Sequence, residues 1–191
     1  GTLLWNAASM GDGVAAVANL DDDPWPEIVV SNGQLWLLEH DGTVAWGPVE
    51  PPGSGYTGPV ALADFDGDGQ VEIGVGRRSQ YSVVEGYGHL RWTAATTHAS
   101  LGYVNTGGAA SAFDFDGDGA AEVLLADTAG LHVLRGVDGS VAAESAVGTC
   151  TYAHSYPLVA DMDGDGKAEI LLGSNACASS AAVGLRAVGE A

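Results

Sequence analysis

One nine-residue pattern, recurring at nearly even intervals, limits what this 191-residue chain can become. Asp64 to Glu72 reads DFDGDGQVE, Asp114 to Glu122 DFDGDGAAE and Asp161 to Glu169 DMDGDGKAE, with Asn19 to Glu27 (NLDDDPWPE) a divergent fourth copy. Their starts lie 45, 50 and 47 residues apart. A fixed period of this size marks a supersecondary unit that buries its apolar surface only by stacking on its neighbours.

The unit reads as four short strands. An apolar stretch precedes each acidic loop (Val14 to Leu20, Val60 to Phe65, Ala109 to Phe115, Pro157 to Met162), and a second starts at its Glu. A third follows (Gln34 to Glu39, Tyr81 to Glu85, Leu131 to Gly136, Ala182 to Val188). After a turn such as Asp41-Gly42 or Asp138-Gly139, both hairpin signals, a fourth comes as Thr43 to Trp46, Leu90 to Ala94 and Val141 to Ser145. The 29 glycines punctuate these runs, and no segment of a dozen residues carries a 3.6-residue apolar period. Unit four ends without a fourth strand, but Gly1-Thr2-Leu3-Leu4-Trp5 matches Gly42-Thr43-Val44-Ala45-Trp46 in order and type. The expected fold is all-β, a β-propeller of four four-stranded antiparallel blades with the N-terminal strand closing the last. The single domain spans residues 1–191, with blade 1 at about 14–47, blade 2 at about 59–95, blade 3 at about 108–146 and blade 4 at about 155–191 plus 1–6. The start at Gly1, with no initiator Met, is expected of a processed or excised segment.

Charge follows the same repeat. The formal net charge is −19, yet sixteen of the 25 acids sit in the four loops and the rest nearly balance the six Lys and Arg. Six scattered cations cannot form the basic surface a polyphosphate backbone needs, so nucleic acid is excluded as a partner. No apolar run approaches the length of a membrane span.

Carboxylates at positions 1, 3, 5 and 9 of a curled, glycine-permitted loop converge, and converging carboxylates repel unless a cation lies among them. Hard anionic oxygens, with a backbone carbonyl at position 7, suit Ca²⁺ better than Mg²⁺. The expected ligands are Asp64, Asp66, Asp68, Gln70 and Glu72 in blade 2; Asp114, Asp116, Asp118, Ala120 and Glu122 in blade 3; and Asp161, Asp163, Asp165, Lys167 and Glu169 in blade 4. The fourth, weaker site is Asn19, Asp21, Asp23, Trp25 and Glu27, where Pro24 replaces the second Gly and cannot take a left-handed turn. An EF-hand is rejected because position 12 is Val30, Val75, Leu125 or Leu172 rather than Glu.

These loops resemble the FG-GAP/VCBS repeats of integrin α-subunit β-propellers and of many secreted bacterial proteins. The resemblance implies a loop between the first and second strands of each blade, Ca²⁺ held by its carboxylates and a main-chain carbonyl, and an extracellular adhesion or ligand-binding role. Family propellers often have seven blades against four here, so self-association or further blades of a parent protein stand beside closure of a four-bladed ring.

In this topology the calcium loops share one face with the hairpins between third and fourth strands. The opposite face carries the connections between blades and the loops holding Asn32, Arg77-Arg78, Asp127 and Asn175. Cys150 and Cys177 fall on that face of one blade, and a disulfide between them in an oxidising compartment is expected. Tyr56, His98, Tyr103, Tyr152 and His154 lie there too and are candidates for contacting a protein or glycan ligand, with packing against neighbouring blades as the alternative role. Trp5, Trp36, Trp46 and Trp92 fall on strands and are expected between blades, while Trp25 is expected to be exposed. No nucleophile elbow, phosphate loop or zinc spacing is present, so a non-catalytic, secreted module is expected. A lectin, or the propeller of a polysaccharide-degrading enzyme using Arg77 and Arg78, are the alternatives.

Overall fold

Short runs of β-branched and aliphatic residues, cut every few positions by glycine, leave the backbone few choices but brief strands and tight turns. The computed structural model describes residues 1–7, 10, 13–97, 108, 110–146, 156–174 and 184–189. Among them are fifteen strands and no helix, and hence no helix long and apolar enough to cross a membrane. The strands are β1 (Val14–Ala18), β2 (Glu27–Ser31), β3 (Leu35–Leu38), β4 (Val44–Val49), β5 (Val60–Ala63), β6 (Glu72–Gly76), β7 (Gln80–Val84), β8 (Leu90–Ala95), β9 (Ala110–Phe113), β10 (Glu122–Ala126), β11 (Leu131–Leu134), β12 (Val141–Ser145), β13 (Leu158–Ala160), β14 (Glu169–Ser174) and β15 (Gly184–Val188). They form four antiparallel meanders, β1 to β4, β5 to β8, β9 to β12 and β13 to β15. The last sheet has three strands. Residues 1–7 form no strand, and the expected pairing of residues 2–5 with β15 is not among the ladders.

The sheets stack face to face, with their first strands side by side, β1 beside β5 and β5 beside β9. Three cores fill the spaces between them. Leu20, Val29, Leu35 and Leu37 meet Ile73, Val75 and Val84 between the first two sheets. Phe65, Tyr81, Val83 and Trp92 meet Ala110, Val123, Leu125 and Leu134 between the second and third. Leu124, Ala126 and Leu131 meet Ile170 and Leu172 between the third and fourth. Sheets covered on both sides bury their second strands completely, which is why β6 and β10 read as continuous apolar or small runs. In β2 every other residue is only half-buried, because the first sheet has one covered face. Val17 on β1 and Leu185 on β15 are 61% and 72% exposed, so the outward faces of the two end sheets are apolar.

Each hairpin between third and fourth strands is closed by a left-handed glycine, Gly42, Gly88 or Gly139. A tryptophan of the preceding sheet lies on Gly88 and on Gly139, Trp46 on the former and Trp92 on the latter, so a Cβ there would strike an indole ring. Trp46 Nε1 donates to Gly86 O (2.8 Å) and Trp92 Nε1 to Gly136 O (2.5 Å). Trp5 lies on Gly42 in the same way. Trp46 and Trp92 therefore lie between sheets as expected, with Trp5 in the place of an outer-strand tryptophan from a sheet preceding the first, whereas Trp36 is half-buried against Gly47 of its own sheet and joins none of the three cores. In the third sheet Ala143 stands where Trp46 and Trp92 stand, opposite Val133 as they are opposite Leu37 and Val83. A cavity of about 860 Å³ opens beside it, lined by residues of the third and fourth sheets.

Candidate metal centre

The four acidic loops join the first and second strands of their sheets and repeat one hydrogen-bond scheme. In each, the Glu that opens the second strand returns its Oε2 to accept from the backbone N–H of loop position 2. The pairs are Leu20 to Glu27 (2.6 Å), Phe65 to Glu72 (2.6 Å), Phe115 to Glu122 (2.9 Å) and Met162 to Glu169 (2.7 Å). The first Asp curls the loop: Asp64 accepts from Gly67 N (2.6 Å) and Gly69 N (2.8 Å), Asp114 from Gly117 N (2.7 Å) and Gly119 N (3.0 Å), and Asp161 from Gly164 N (2.6 Å) and Gly166 N (3.0 Å). Both glycines of each of these loops have positive φ, which explains their fixed places. The Asp at position 5 accepts from the N–H of position 7, as in Asp68 from Gln70 (2.8 Å), Asp118 from Ala120 (2.8 Å) and Asp165 from Lys167 (2.8 Å).

The first loop solves the same problem differently. Pro24 has no N–H to offer position 1, and Asn19 instead donates its amide to Asp23 O (2.7 Å). Asp21 and Asp23 keep their bonds to Asp23 N (2.8 Å) and Trp25 N (2.7 Å). Trp25 is exposed and stacks on His40.

The carboxylates converge in all four loops. Ligand-type oxygens lie within 4.8 Å of one another for Asp64, Asp66, Asp68 and Glu72; for Asp21, Asp23 and Glu27; for Asp114, Asp116 and Asp118; and for Asp161, Asp163 and Glu169. Asp165 and Glu122 stand outside these sets, though each keeps its loop hydrogen bond. Burial pushes the Glu72 carboxyl up to about 7 against the opposing Phe65 hydrogen bond, with Asp66, Glu85 and Asp64 adding repulsion. Burial and the three aspartates raise Glu122 in the same direction. Glu27 is fully buried, and its Oε1 has no hydrogen-bond partner. A buried, acceptor-only oxygen directed at two more carboxylates has the chemistry of a ligand to a hard divalent cation, and the donor set fits Ca²⁺.

The hairpins between third and fourth strands lie beside these loops, as the topology predicted. Gly86 lies against the Leu20 carbonyl and Gly136 against the Phe65 carbonyl. The residues just after β3 and β7 bring further charge: Glu39, whose carboxyl is raised by burial and by Glu27, Asp21 and Asp23, and Glu85. Arg91 Nη1 reaches Asp66 Oδ2 (2.5 Å) and Glu85 Oε1 (2.9 Å). Sequence reasoning missed these three; the available signals were the charge repeated after each third strand, as Glu39, Glu85 and Arg135, and a lone Arg91 where the other sheets have Ala45 and Ala142. Adjacent loops also touch, since Ala121 N donates to Asp64 O (2.8 Å).

On the opposite face, Arg77 is consumed by the connection before it. Its guanidinium donates to Gly55 O (2.6 Å), Pro51 O (2.6 Å) and Glu50 Oε1 (3.1 Å). Tyr56 is exposed, with its ring against Gly33. His98, Tyr103, Tyr152 and His154, and the Cys150–Cys177 pair, lie outside the described residues.

Comparison with known proteins follows this geometry. The chain is similar to the V. cholerae biofilm matrix protein Bap1 at 16% identity, covering 95% of this chain and 57% of that one, with a TM-score of 0.71. It is also similar to BBS1N, solved in complex with ARL6DN, at 12% identity over 84% of this chain and 50% of that one, with a TM-score of 0.55. These likenesses show a β-propeller type of fold, and the chain spans little more than half the length of the solved chains it matches. No curated protein matches it. The FG-GAP-like repeat profile matches residues 19–75 and 114–172, more than half of the sequence and the whole of all four acidic loops, and the chain belongs to the FG-GAP-like repeat family.

Proposed function

We propose that this chain is a calcium-stabilised, non-catalytic binding module that works outside the cell, with Ca²⁺ bound by the acidic loops and a protein or glycan ligand on the opposite face. The observation that carries the calcium reading is the convergence of carboxylates at the same place in four sheets, with Glu27 Oε1 buried and unpartnered. The cation would supply positive charge to loops that touch one another, and so hold neighbouring sheets in register. Each site adds about 2.7 kcal/mol when free Ca²⁺ is about a hundredfold above its dissociation constant. Calorimetric titration of metal-stripped protein should show saturable uptake at three tight sites and a weaker fourth in the first loop, with a higher melting temperature when loaded. A calcium-independent melt and no binding heat refute the reading.

A binding role draws support from family membership and from a fold shared with a biofilm matrix protein. The commitment of Arg77 to the Gly47–Gly58 connection removes one of the two cations on which the enzyme alternative leaned. For closure, the packing of Trp5 on Gly42 supports residues 1–5 as an outer strand, either of the last sheet in a closed ring or of a further blade. Hydrogen exchange tests the closed ring, since amides of residues 2–5 paired with β15 should be protected. Unprotected exchange there rules it out.

A further inference from the structure

A β-bulge recurs at one place in three sheets. Between Trp46 opposite Leu37 and Val44 opposite Leu38, Ala45 has no partner; between Trp92 opposite Val83 and Leu90 opposite Val84, Arg91 has none; between Ala143 opposite Val133 and Val141 opposite Leu134, Ala142 has none. Bulges re-aim the extra side chain, and they concentrate beside functional sites. Two of the three carry a methyl group. The third carries a guanidinium, and it points into the acidic loop of its own sheet, 2.5 Å from Asp66 Oδ2, while Glu85 holds it at 2.9 Å. It is three-quarters buried, and its Nε also faces Val137 O of the next sheet (3.4 Å). The cluster it enters is the one in which all four carboxylates converge.

We propose that Arg91 sets the affinity of the second-sheet site, acting as a built-in counter-ion that neutralises Asp66 when no divalent cation is bound and must yield it when one arrives. This rests on the calcium reading above. Two consequences follow from simple electrostatics. A fixed positive charge beside the cluster opposes a second one, so this site fills at higher calcium than the third-sheet site despite its fuller set of carboxylates. The same charge partly satisfies the metal-free loop, so the second sheet is the least dependent on calcium for its order.

The test uses the full chain and calcium alone as the probe. Arg91→Ala copies the residue found at both equivalent bulges, and Arg91→Gln retains most of the side chain's volume. Calorimetric titration of either variant should show one site tightened about tenfold, within the usual range for coupling between two sites, and the others unchanged. Asp66→Asn in the same background should abolish the shifted site. Melting without metal should fall for both variants while the rise produced by calcium grows, which separates this role from simple packing. Calcium binding that Arg91→Ala and Arg91→Gln leave unchanged or weaken overturns the inference alone. Absence of calcium binding in the native chain and both variants overturns it together with the calcium reading.

Discussion

Replacing Glu72 by Gln should move the metal-free and calcium-loaded proteins in opposite ways. Gln keeps an oxygen able to accept from Phe65 N–H, so the loop's hydrogen bond survives while its charge is removed. In the metal-free protein that charge is a burden: burial, with Asp66, Glu85 and Asp64 nearby, carries the carboxyl from its ordinary 4.5 up to about 7. At about 1.4 kcal/mol per tenfold change in proton affinity, ionising it above pH 7 costs the fold about 3 kcal/mol. Solvent on the open side of the loop reduces this to about 2 kcal/mol. Metal-free Glu72→Gln at pH 8 should therefore melt about 4 to 8 °C above the native chain, by the scaling for a domain of this length. With calcium about a hundredfold above the native dissociation constant, a hundredfold weaker site contributes about 0.4 rather than 2.7 kcal/mol. The stabilisation produced by calcium should shrink by about 2.3 kcal/mol, slightly more than the metal-free protein gained. The sign in pH follows, because a carboxyl raised in the folded state stabilises when protonated. The advantage of the native metal-free chain is complete below about 4.5 and is lost as pH rises through about 7. The gap between variant and native melts should open over that window. Calorimetry on metal-stripped protein from pH 4 to 8 measures both. A lower metal-free melt for the variant, or an unchanged calcium increment, refutes the reasoning.

Trp92→Ala removes a buried ring from the core between the second and third sheets and should cost about 3 to 5 kcal/mol in urea unfolding; Trp92→Phe, which keeps a ring but abandons Gly136 O, should cost less than Trp92→Ala. Gly139→Ala and Gly69→Ala both force a left-handed alanine, about 1 to 2 kcal/mol, but only at Gly139 does the new methyl meet Trp92, so Gly139→Ala should be the more damaging by the same assay. Asp127 is buried, accepting from Thr97 N (2.7 Å) on one oxygen and from Ala129 N (2.7 Å) on the other. Asp127→Asn turns one oxygen into a donor and should cost about 1 to 3 kcal/mol; an unchanged unfolding midpoint argues against that clamp.

How the chain divides into sheets was legible because its cause is local. The curl of Asp64 around Gly67 and Gly69, the bond from Phe65 N to Glu72, and the hairpin at Gly42 join residues seven or fewer positions apart, so spacing and side-chain chemistry suffice to predict where they fall. Even the likeness of Gly1–Trp5 to Gly42–Trp46 has a structural counterpart, since Trp5 lies on the neighbouring hairpin as Trp46 does. What the repeat could not reveal is which residues meet once separate sheets are stacked and twisted. Arg91 reaches Asp66 across two strands because a bulge turns it; Trp46 finds Gly86 in the next sheet, and Arg77 grips Gly55 at the end of a connection. Equal spacing says that two copies are alike, whereas a contact depends on the angle and distance between them. Those are fixed by the packed cores, and so the loops were readable from the chain while the charges that tune them were settled by tertiary structure.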